Sequence, residues 1–272
     1  MRVIIFNDKN NFDGCLNKIN DNRKKGNKRF WRLELYQKFL FKKLKSILPK
    51  SDNINLVRNI IYTGEYNSKL LNKVKRYCKT EIKEIDKFID REEKLLAEVN
   101  GRNIEQKLKK RISEHVKFVK SVFANRKKGI LRTLDKQKRN SEGQKRFFER
   151  FDKVPLTEIK TTPLKHAQGI IYQKGVDVLL ATDMVHLANS NSYDVALILG
   201  GDADLIESIK LVKNNLKKII VIAAYYNSED LLKSSISKDL IKEADFFINL
   251  KDLSEKEIGK ISELRKIKKD EK

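Results

Sequence analysis

Five aspartates at the ends of apolar segments are the residues in this chain best suited to chemistry. They are Asp8 in RVIIFND, Asp177 and Asp183 in GVDVLLATD, and Asp202 and Asp204 in ILGGDAD. A carboxylate beside an apolar strand is costly to desolvate unless a cation meets it. Carboxylates that converge on one place form a site for a hard divalent cation such as Mg²⁺ or Mn²⁺. The five positions therefore predict a metal site.

The segments around these aspartates have the pattern of an α/β sheet. Strands are predicted at residues 2–6, 55–62, 157–161, 195–199, 219–223 and 246–250. Helices are predicted at residues 30–48, 177–188, 203–212 and 231–243, and a polar loop at residues 7–11. Strands that are apolar throughout and alternate with helices are typical of a mainly parallel sheet covered on both faces.

The topology of such a sheet brings three of the aspartates together. Ligands of open parallel sheets bind beyond the carboxyl ends of the strands, and both Asp8 and Asp202 follow a strand. Gly200 and Gly201 permit the tight turn before Asp202. Asp177 begins a helix, where backbone N–H groups favour a carboxylate. Taken singly, Asp177, Asp202 or Asp204 can equally be a helix N-cap.

Helix geometry ranks the other candidates. Asp183 is six residues after Asp177, roughly 240° around a helix, so it is the weakest candidate ligand. Asp204 is either a further ligand or a stabiliser of the first helical turn. Asn11 can orient Asp8 or hold its loop, and Lys174 can neutralise the carboxylates, contact a phosphate, or simply be solvated.

Three motifs in this order resemble the NYN family of PIN-like nucleases. Asp8 to Asn11 is similar to the family's D-x-x-N opening, and residues 174–177 with Asp183 are similar to its K-x-x-D…D helix. Residues 200–204 resemble its S-G-D-x-D turn, with Gly200 in place of the serine. Residues 237–246 are similar to its closing helix and strand. The resemblance covers residues 1–67 and 150–253.

The resemblance implies a metal-dependent endoribonuclease with a Rossmann-like, three-layer α/β/α fold. Asp8, Asp177, Asp202 and Asp204 are then the catalytic and metal-binding residues, with Asn11 and Lys174 in support. Divalent-metal chemistry on a phosphodiester needs no histidine or nucleophilic serine. His115, His166 and His186 have no spacing typical of a triad or a zinc pair, and we interpret them as structural or surface residues.

The positive charge of the chain is concentrated in a predicted helical insertion. The formal net charge is +23, and residues 102–150 contain 17 Lys and Arg against 5 Asp and Glu. Over residues 68–150 we expect two or three helices, with breaks at Gly101 and Gly129. A basic helical arm favours a polyanion such as single-stranded or structured RNA over a membrane surface. The residues predicted to bind nucleic acid are Lys109, Lys110, Arg111, Arg126, Lys127, Lys128, Lys136, Lys138 and Arg139.

The expected organisation is a core of residues 1–67 and 150–253, interrupted by the basic arm at residues 68–149 and followed by a charged tail at residues 254–272. Cys15 and Cys78 make neither a disulfide framework nor a zinc motif, which favours a reduced, cytoplasmic location. No apolar run has the length of a membrane span. The arm can also serve as a contact for a second copy or a protein partner.

Two alternatives to a ribonuclease stay open at this point. One is a catalytically inactive nucleic-acid-binding or scaffold protein with a PIN-like fold. The other is a metal-dependent phosphatase acting on small nucleotides, which would have no use for a basic arm.

Overall fold

The computed structural model describes residues 1–21, 29–49, 53–103 and 105–264. The chain divides into two compact units. The core unit comprises Met1–Gly64, Arg150–Thr162 and Lys174–Lys272. The arm unit comprises Glu65–Glu149 and Pro163–Gln173.

The described residues contain ten strands and eight α-helices. The strands are β1 (Arg2–Asp8), β2 (Arg29–Trp31), β3 (Asn55–Glu65), β4 (Thr157–Pro163), β5 (Lys165–Ala167), β6 (Ile170–Tyr172), β7 (Val195–Leu199), β8 (Ile219–Ala224), β9 (Phe246–Asn249) and β10 (Ser262–Leu264). The helices are α1 (Lys9–Asp21), α2 (Leu33–Ile47), α3 (Ser68–Gly101), α4 (Gln106–Phe151), α5 (Val176–Asn189), α6 (Ile206–Lys210), α7 (Lys238–Glu243) and α8 (Glu255–Ile261).

A six-stranded sheet with the order β4-β3-β1-β7-β8-β9 forms the centre of the core unit. The pairings of β3 with β1, β1 with β7, β7 with β8 and β8 with β9 are all parallel. All five residues of β7 are buried, and only Arg2 of β1 is exposed. Each buried aliphatic side chain in these strands contributes about 1.5–3 kcal/mol through its removal from water.

Helices cover both faces of this sheet. The Gln37 side chain on α2 donates to Asn59 Oδ1 on β3 at 2.9 Å, whereas Asp183 on α5 accepts from the Tyr62 hydroxyl on the same strand at 2.9 Å. Residues 59 and 62 point to opposite faces because side chains alternate along a strand. The predicted class, a three-layer α/β fold with a mainly parallel sheet, is therefore confirmed.

The arm unit is built on an antiparallel pair of long helices. Phe88 on α3 packs against Phe123 on α4, with ring centroids 5.1 Å apart. Arg126 of α4 pairs with Glu81 of α3 at 2.9 Å, and Lys120 pairs with Glu93. A short hairpin of β5 and β6 adds Ile171 to a small apolar cluster around Val74 of α3.

Several predicted boundaries in the first half of the chain are wrong. The polar residues after Asp8 are not a loop, because α1 begins directly at Lys9. The segment at residues 30–48 is a strand followed by a helix, because β2 takes Phe30 and Trp31 to pair with β10. Gly129 does not break the arm, since α4 is continuous from Gln106 to Phe151 and packs along α3 on both sides of that glycine.

In the second half of the chain, the helix predicted at residues 203–212 is a 3₁₀ turn (Ala203–Leu205) followed by α6 and a π-helical turn (Leu211–Asn215). Two further segments also differ from prediction. The helix predicted at residues 231–243 is a single 3₁₀ turn, Leu231–Lys233, followed by α7, which begins only after the Ser237 cap. In the predicted charged tail, α8 and β10 together cover Glu255–Leu264. There Ser254 and Glu257 form a capping box, and Ile258 and Ile261 are buried. Residues 265–272 of that tail lie outside the described residues.

Candidate metal centre

Three carboxylates converge at the carboxyl edge of the central sheet. Asp8, Asp177 and Asp202 each offer one oxygen, and the three oxygens lie within 4.8 Å of one another. Asp8 is the last residue of β1, and Asp202 follows β7, the strand paired directly with β1. Asp177 is the second residue of α5, so the amino end of that helix brings it to the same place.

The strand order explains why these residues meet. From β1 the chain passes outward to β3 on one side of the sheet, whereas β7, β8 and β9 extend on the other. The order therefore reverses between β1 and β7, which is where open parallel sheets form a ligand crevice. Asp8 and Asp202 occupy the two strand ends that flank this crevice.

The electrostatics of the group indicate a site for a cation. Asp8 is 3% exposed, and its burial raises its pKa from 3.8 to about 6, with further increases from the charges of Asp177 and Asp202. The pKa of Asp177 is also raised, first by burial and then by Asp202. Carboxylate oxygens are the ligands that Mg²⁺ and Mn²⁺ prefer, and a cation among them would relieve this repulsion. The donor set and its electrostatics therefore fit such an ion.

Asn11 connects the two sides of the crevice. Its backbone N–H donates to Asp8 Oδ1 at 3.1 Å, and its side-chain Oδ1 accepts from the N–H of Gly201 at 2.9 Å. Sequence analysis left open whether Asn11 orients Asp8 or holds the loop. In the structure one asparagine makes both contacts. Asn11 fixes the position of Asp202 relative to Asp8.

The turn before Asp202 depends on two glycines for different reasons. Gly200 has φ +134°, a conformation that side chains disfavour. A Cβ on Gly201 would lie 2.4 Å from the Ser235 carbonyl oxygen and 2.7 Å from Ile236 Cβ. The Gly-Gly pair therefore allows both the turn and its close packing.

Asp204 lies beside the group of three rather than within it. Its side chain is exposed, and its charge adds to the raised pKa of Asp177. Its backbone N–H donates to Asp202 Oδ1 at 3.1 Å, so Asp202 caps the 3₁₀ turn Ala203–Leu205 while facing the crevice. The capping and ligand interpretations of Asp202 are therefore compatible.

Asp183 has a different set of partners. It accepts hydrogen bonds from the Tyr62 hydroxyl at 2.9 Å and from Lys160 Nζ at 2.7 Å, and its side chain is only 16% exposed. Tyr62 is in register with Asp8 on the neighbouring strand, so this polar group lies next to the carboxylates. Sequence analysis did not identify Tyr62 or Lys160. Their only sequence signal is a polar tip or charge near the end of a predicted strand.

Lys174 and the histidines make no part of this geometry. Lys174 is exposed and precedes α5, with no ion pair within the described residues. His186 is exposed on α5, His115 is exposed on α4, and His166 is buried in the arm unit. None of the histidines is among the residues grouped as a metal site in the described chain.

The nine basic residues predicted to bind nucleic acid fall into two groups. Three have partners within the arm unit: Arg126 pairs with Glu81, Lys127 pairs with Asp86, and Lys109 donates to the Asn100 carbonyl oxygen. The other six are exposed and have no ion pair in the described part of the chain: Lys110, Arg111, Lys128, Lys136, Lys138 and Arg139. Only the second group is free to meet a polyanion without breaking a contact between α3 and α4.

No helix in the described ranges combines the length and the apolar character that crossing a bilayer requires.

The fold and the carboxylate group together define a class: an α/β domain with an acidic site at the switch point of a parallel sheet. A model of the NYN domain matches residues 88–251, which is more than half of the chain. The chain therefore belongs to the NYN domain family, a family of PIN-like nuclease domains. The predicted family is confirmed, and nuclease-type chemistry is the function that the family indicates.

The matched segment and the structural site overlap only in part. Residues 88–251 include Asp177, Asp183, Asp202 and Asp204 but not Asp8 or Asn11, which join the site through the pairing of β1 with β7. The chain is also similar to the crystal structure of a protein of unknown function, VPA0982, from Vibrio parahaemolyticus RIMD 2210633. The two share 13% identity over 92% of this chain and 93% of that one, with a TM-score of 0.40. That similarity carries no functional argument. No curated protein matches the chain significantly.

Proposed function

We propose that this protein is a metal-dependent endoribonuclease that hydrolyses RNA phosphodiester bonds at the site of Asp8, Asp177 and Asp202. The observation that carries the proposal is the convergence of these three carboxylates, with oxygens within 4.8 Å of one another, in a NYN-family domain. Asp204, exposed at the rim of the same crevice, is the fourth catalytic candidate.

The roles of the side chains follow from their surroundings. Asp8 is buried and accepts a hydrogen bond from the Asn11 N–H, so it is the member of the set whose position is fixed. Asp177 and Asp202 are partly exposed, so they complete the site on the side that a substrate approaches. A Mg²⁺ or Mn²⁺ held there would supply Lewis-acid stabilisation of the charge that develops on a phosphodiester. The three aspartates would hold the ion, and the buried position of Asp8 partly shields it from solvent.

The arm supplies a second part of the proposal. Over Gln106–Phe151 there are 16 Lys and Arg against 4 Asp and Glu. Lys110 and Lys128 are separated by five full turns, so both lie on one side of α4, about 27 Å apart, and Arg139 lies within roughly 20° of the same line. All three are exposed. Positive charge in such a row binds a phosphate backbone with little regard to base sequence.

The test of catalysis compares matched variants. Labelled RNA and single-stranded DNA are incubated with the purified protein in Mg²⁺, in Mn²⁺ and in chelator. The variants are Asp8→Asn, Asp202→Asn and, as the control, Asp239→Asn, an exposed carboxylate on α7. We expect metal-dependent cleavage of RNA that is lost in the first two variants and kept in the third. Binding without cleavage in either metal would support an inactive scaffold instead.

The test of the arm uses the free group of basic residues. Lys110→Glu, Lys128→Glu and Arg139→Glu together should weaken RNA binding and reduce its dependence on salt concentration. Arg126→Glu and Lys127→Glu are less suitable, because they place acids opposite Glu81 and Asp86 and so disturb the helix pair. If the triple variant binds RNA as the wild type does, the arm contacts a protein or a second copy.

A further inference from the structure

The arm unit contains a cavity that the proposed nuclease site does not use. It has a volume of about 380 Å³ and lies where α3, α4 and the β5–β6 hairpin meet. Its walls are apolar at Val74, Ile130 and Ile171, and two rings, those of Tyr77 and His166, also line it. The two rings meet edge to face, with centroids 5.2 Å apart.

His166 is the unusual polar group in this cavity. Only 5% of the residue is exposed, and its Nε2 has no hydrogen-bond partner in the described residues. Its backbone is fixed, because Lys73 Nζ donates to the His166 carbonyl oxygen at 3.0 Å. Burial, with a smaller effect from Lys73, lowers the pKa of His166 from its ordinary value, which favours the neutral imidazole. Nε2 itself has less than 1 Å² of accessible surface, so a ligand in the cavity meets the His166 ring rather than this atom.

Two charged residues that also line the cavity, Glu81 and Arg126, pair with each other at 2.9 Å. Two further polar residues are only partly used. Gln137 Oε1 accepts from the Tyr66 hydroxyl at 2.7 Å, whereas its amide nitrogen makes no hydrogen bond within the described chain. The Thr133 hydroxyl donates to the Gly129 carbonyl oxygen at 3.0 Å, which leaves its lone pairs as acceptors. The cavity therefore combines apolar walls with both a donor and an acceptor.

We infer that this cavity binds a nucleobase. A base offers flat apolar faces for Ile130, Ile171 and Tyr77, and its edge presents donors and acceptors together. An acyl chain would offer no partner to the Gln137 amide nitrogen or to the lone pairs of Thr133, and a sugar would place hydroxyls against the apolar walls. The phosphate attached to the base would meet the positive charge of α4. The base belongs either to a free nucleotide or to an unstacked residue of RNA. The inference concerns the arm unit alone and does not depend on hydrolysis at the carboxylate site.

Two glycines of α4 provide a matched test. A Cβ on Gly129, which lines the cavity, or on Gly143 meets nothing within 4 Å, and leucine forms helices better than glycine. Each of the four nucleoside monophosphates and a short single-stranded RNA are titrated into the full chain without divalent metal, and binding is followed by calorimetry. Gly129→Leu should weaken binding at least tenfold, whereas Gly143→Leu should leave it unchanged.

A second variant keeps the shape of the cavity. Thr133→Val removes the rim acceptor and should weaken binding several-fold, with a different loss for each base. Binding of free nucleotides assigns the site to a nucleotide ligand, and binding of RNA alone assigns it to an unstacked base. If neither ligand binds, or if binding is the same in Gly129→Leu, Thr133→Val and Gly143→Leu, the inference is wrong.

Discussion

The side-chain Oδ1 of Asn11 accepts a hydrogen bond from the backbone N–H of Gly201 at 2.9 Å, although the two residues are 190 positions apart in the sequence. The same residue donates its own N–H to Asp8. One uncharged residue therefore contacts the Asp8 carboxylate through its backbone and, through its side chain, the turn that precedes Asp202.

Replacing Asn11 by alanine should remove the contact between the ends of β1 and β7. The backbone N–H that donates to Asp8 is kept. Residues that orient metal-binding side chains typically change metal affinity or activity by about 10–100-fold when mutated, and we expect a loss in that range. The buried Gly201 N–H would also lose its acceptor, at a cost of about 1–3 kcal/mol. Calorimetric Mn²⁺ titration and urea unfolding measure the two effects. The neighbouring exposed Asn10→Ala is the control, and equal behaviour of both variants would contradict the link.

Asp8→Asn should stabilise the protein in chelator at pH 7.5. The folded-state pKa of Asp8, about 6, lies above its ordinary value of 3.8. Its contribution to stability is therefore greatest below pH 3.8 and is lost as the pH rises through 6. The ionised carboxylate then costs up to about 3 kcal/mol, which the amide does not.

Urea unfolding of wild type and Asp8→Asn from pH 4 to pH 7.5 measures this cost. The stability gap should fall below about 1 kcal/mol near pH 4. Added Mg²⁺ or Mn²⁺ should stabilise the wild type and not the variant. If the variant is no more stable than wild type at pH 7.5 in chelator, the ionised Asp8 carboxylate does not destabilise the fold.

Gly201→Ala should be strongly destabilising, because the added methyl group meets the Ser235 carbonyl oxygen at 2.4 Å. Overpacking of this kind typically costs about 1–3 kcal/mol. Gly14→Ala on α1 is the matched control, since its Cβ meets nothing within 4 Å and alanine favours a helix by up to about 1 kcal/mol. Thermal unfolding should move in opposite directions for the two variants. A Gly201→Ala protein as stable as wild type would mean that the turn has room to shift.

Asp183→Asn tests whether this aspartate positions other residues or binds metal. Lys160 Nζ, in a side chain only 27% exposed, would lose its closer ion pair and keep only the one to Glu158 at 3.7 Å. Breaking a buried pair costs about 3–5 kcal/mol, and the cost is less for this partly exposed one. We expect lower stability with unchanged Mn²⁺ affinity. A double-mutant cycle with Lys160→Met isolates the pair. Loss of Mn²⁺ binding in a folded Asp183→Asn protein would instead make Asp183 a ligand.

The parts of the fold that could be predicted are those in which local pattern and tertiary structure agree. The run at residues 195–199 is apolar throughout and became β7, buried at every position. The run at residues 219–223 became β8 with one residue added. The meeting of Asp8 and Asp202 could be predicted because both follow a strand, and parallel strands end at the same edge of the sheet.

The errors arose where a neighbour in space overrides the local pattern. The spacing of Leu231 and Leu232 relative to later apolar residues predicted a helix. In the structure this segment makes one 3₁₀ turn, and Leu232 is 95% exposed. Gly129 suggested a break, but packing of Phe123 and Ile130 on either side keeps α4 continuous. Lys160 and Tyr62 carry no local signal of their partnership with Asp183, because β3 and β4 are far apart in the chain.

The pairing of β1 with β7 also determines the order in which the protein can assemble. Asp202 is added about 10–40 s after Asp8 at ordinary rates of synthesis. Until then β1 can pair with β3, but its other edge has no neighbour and the crevice does not exist. The basic helices are complete before the carboxylates meet. The positive charge of the arm is therefore in place before the acidic site can form.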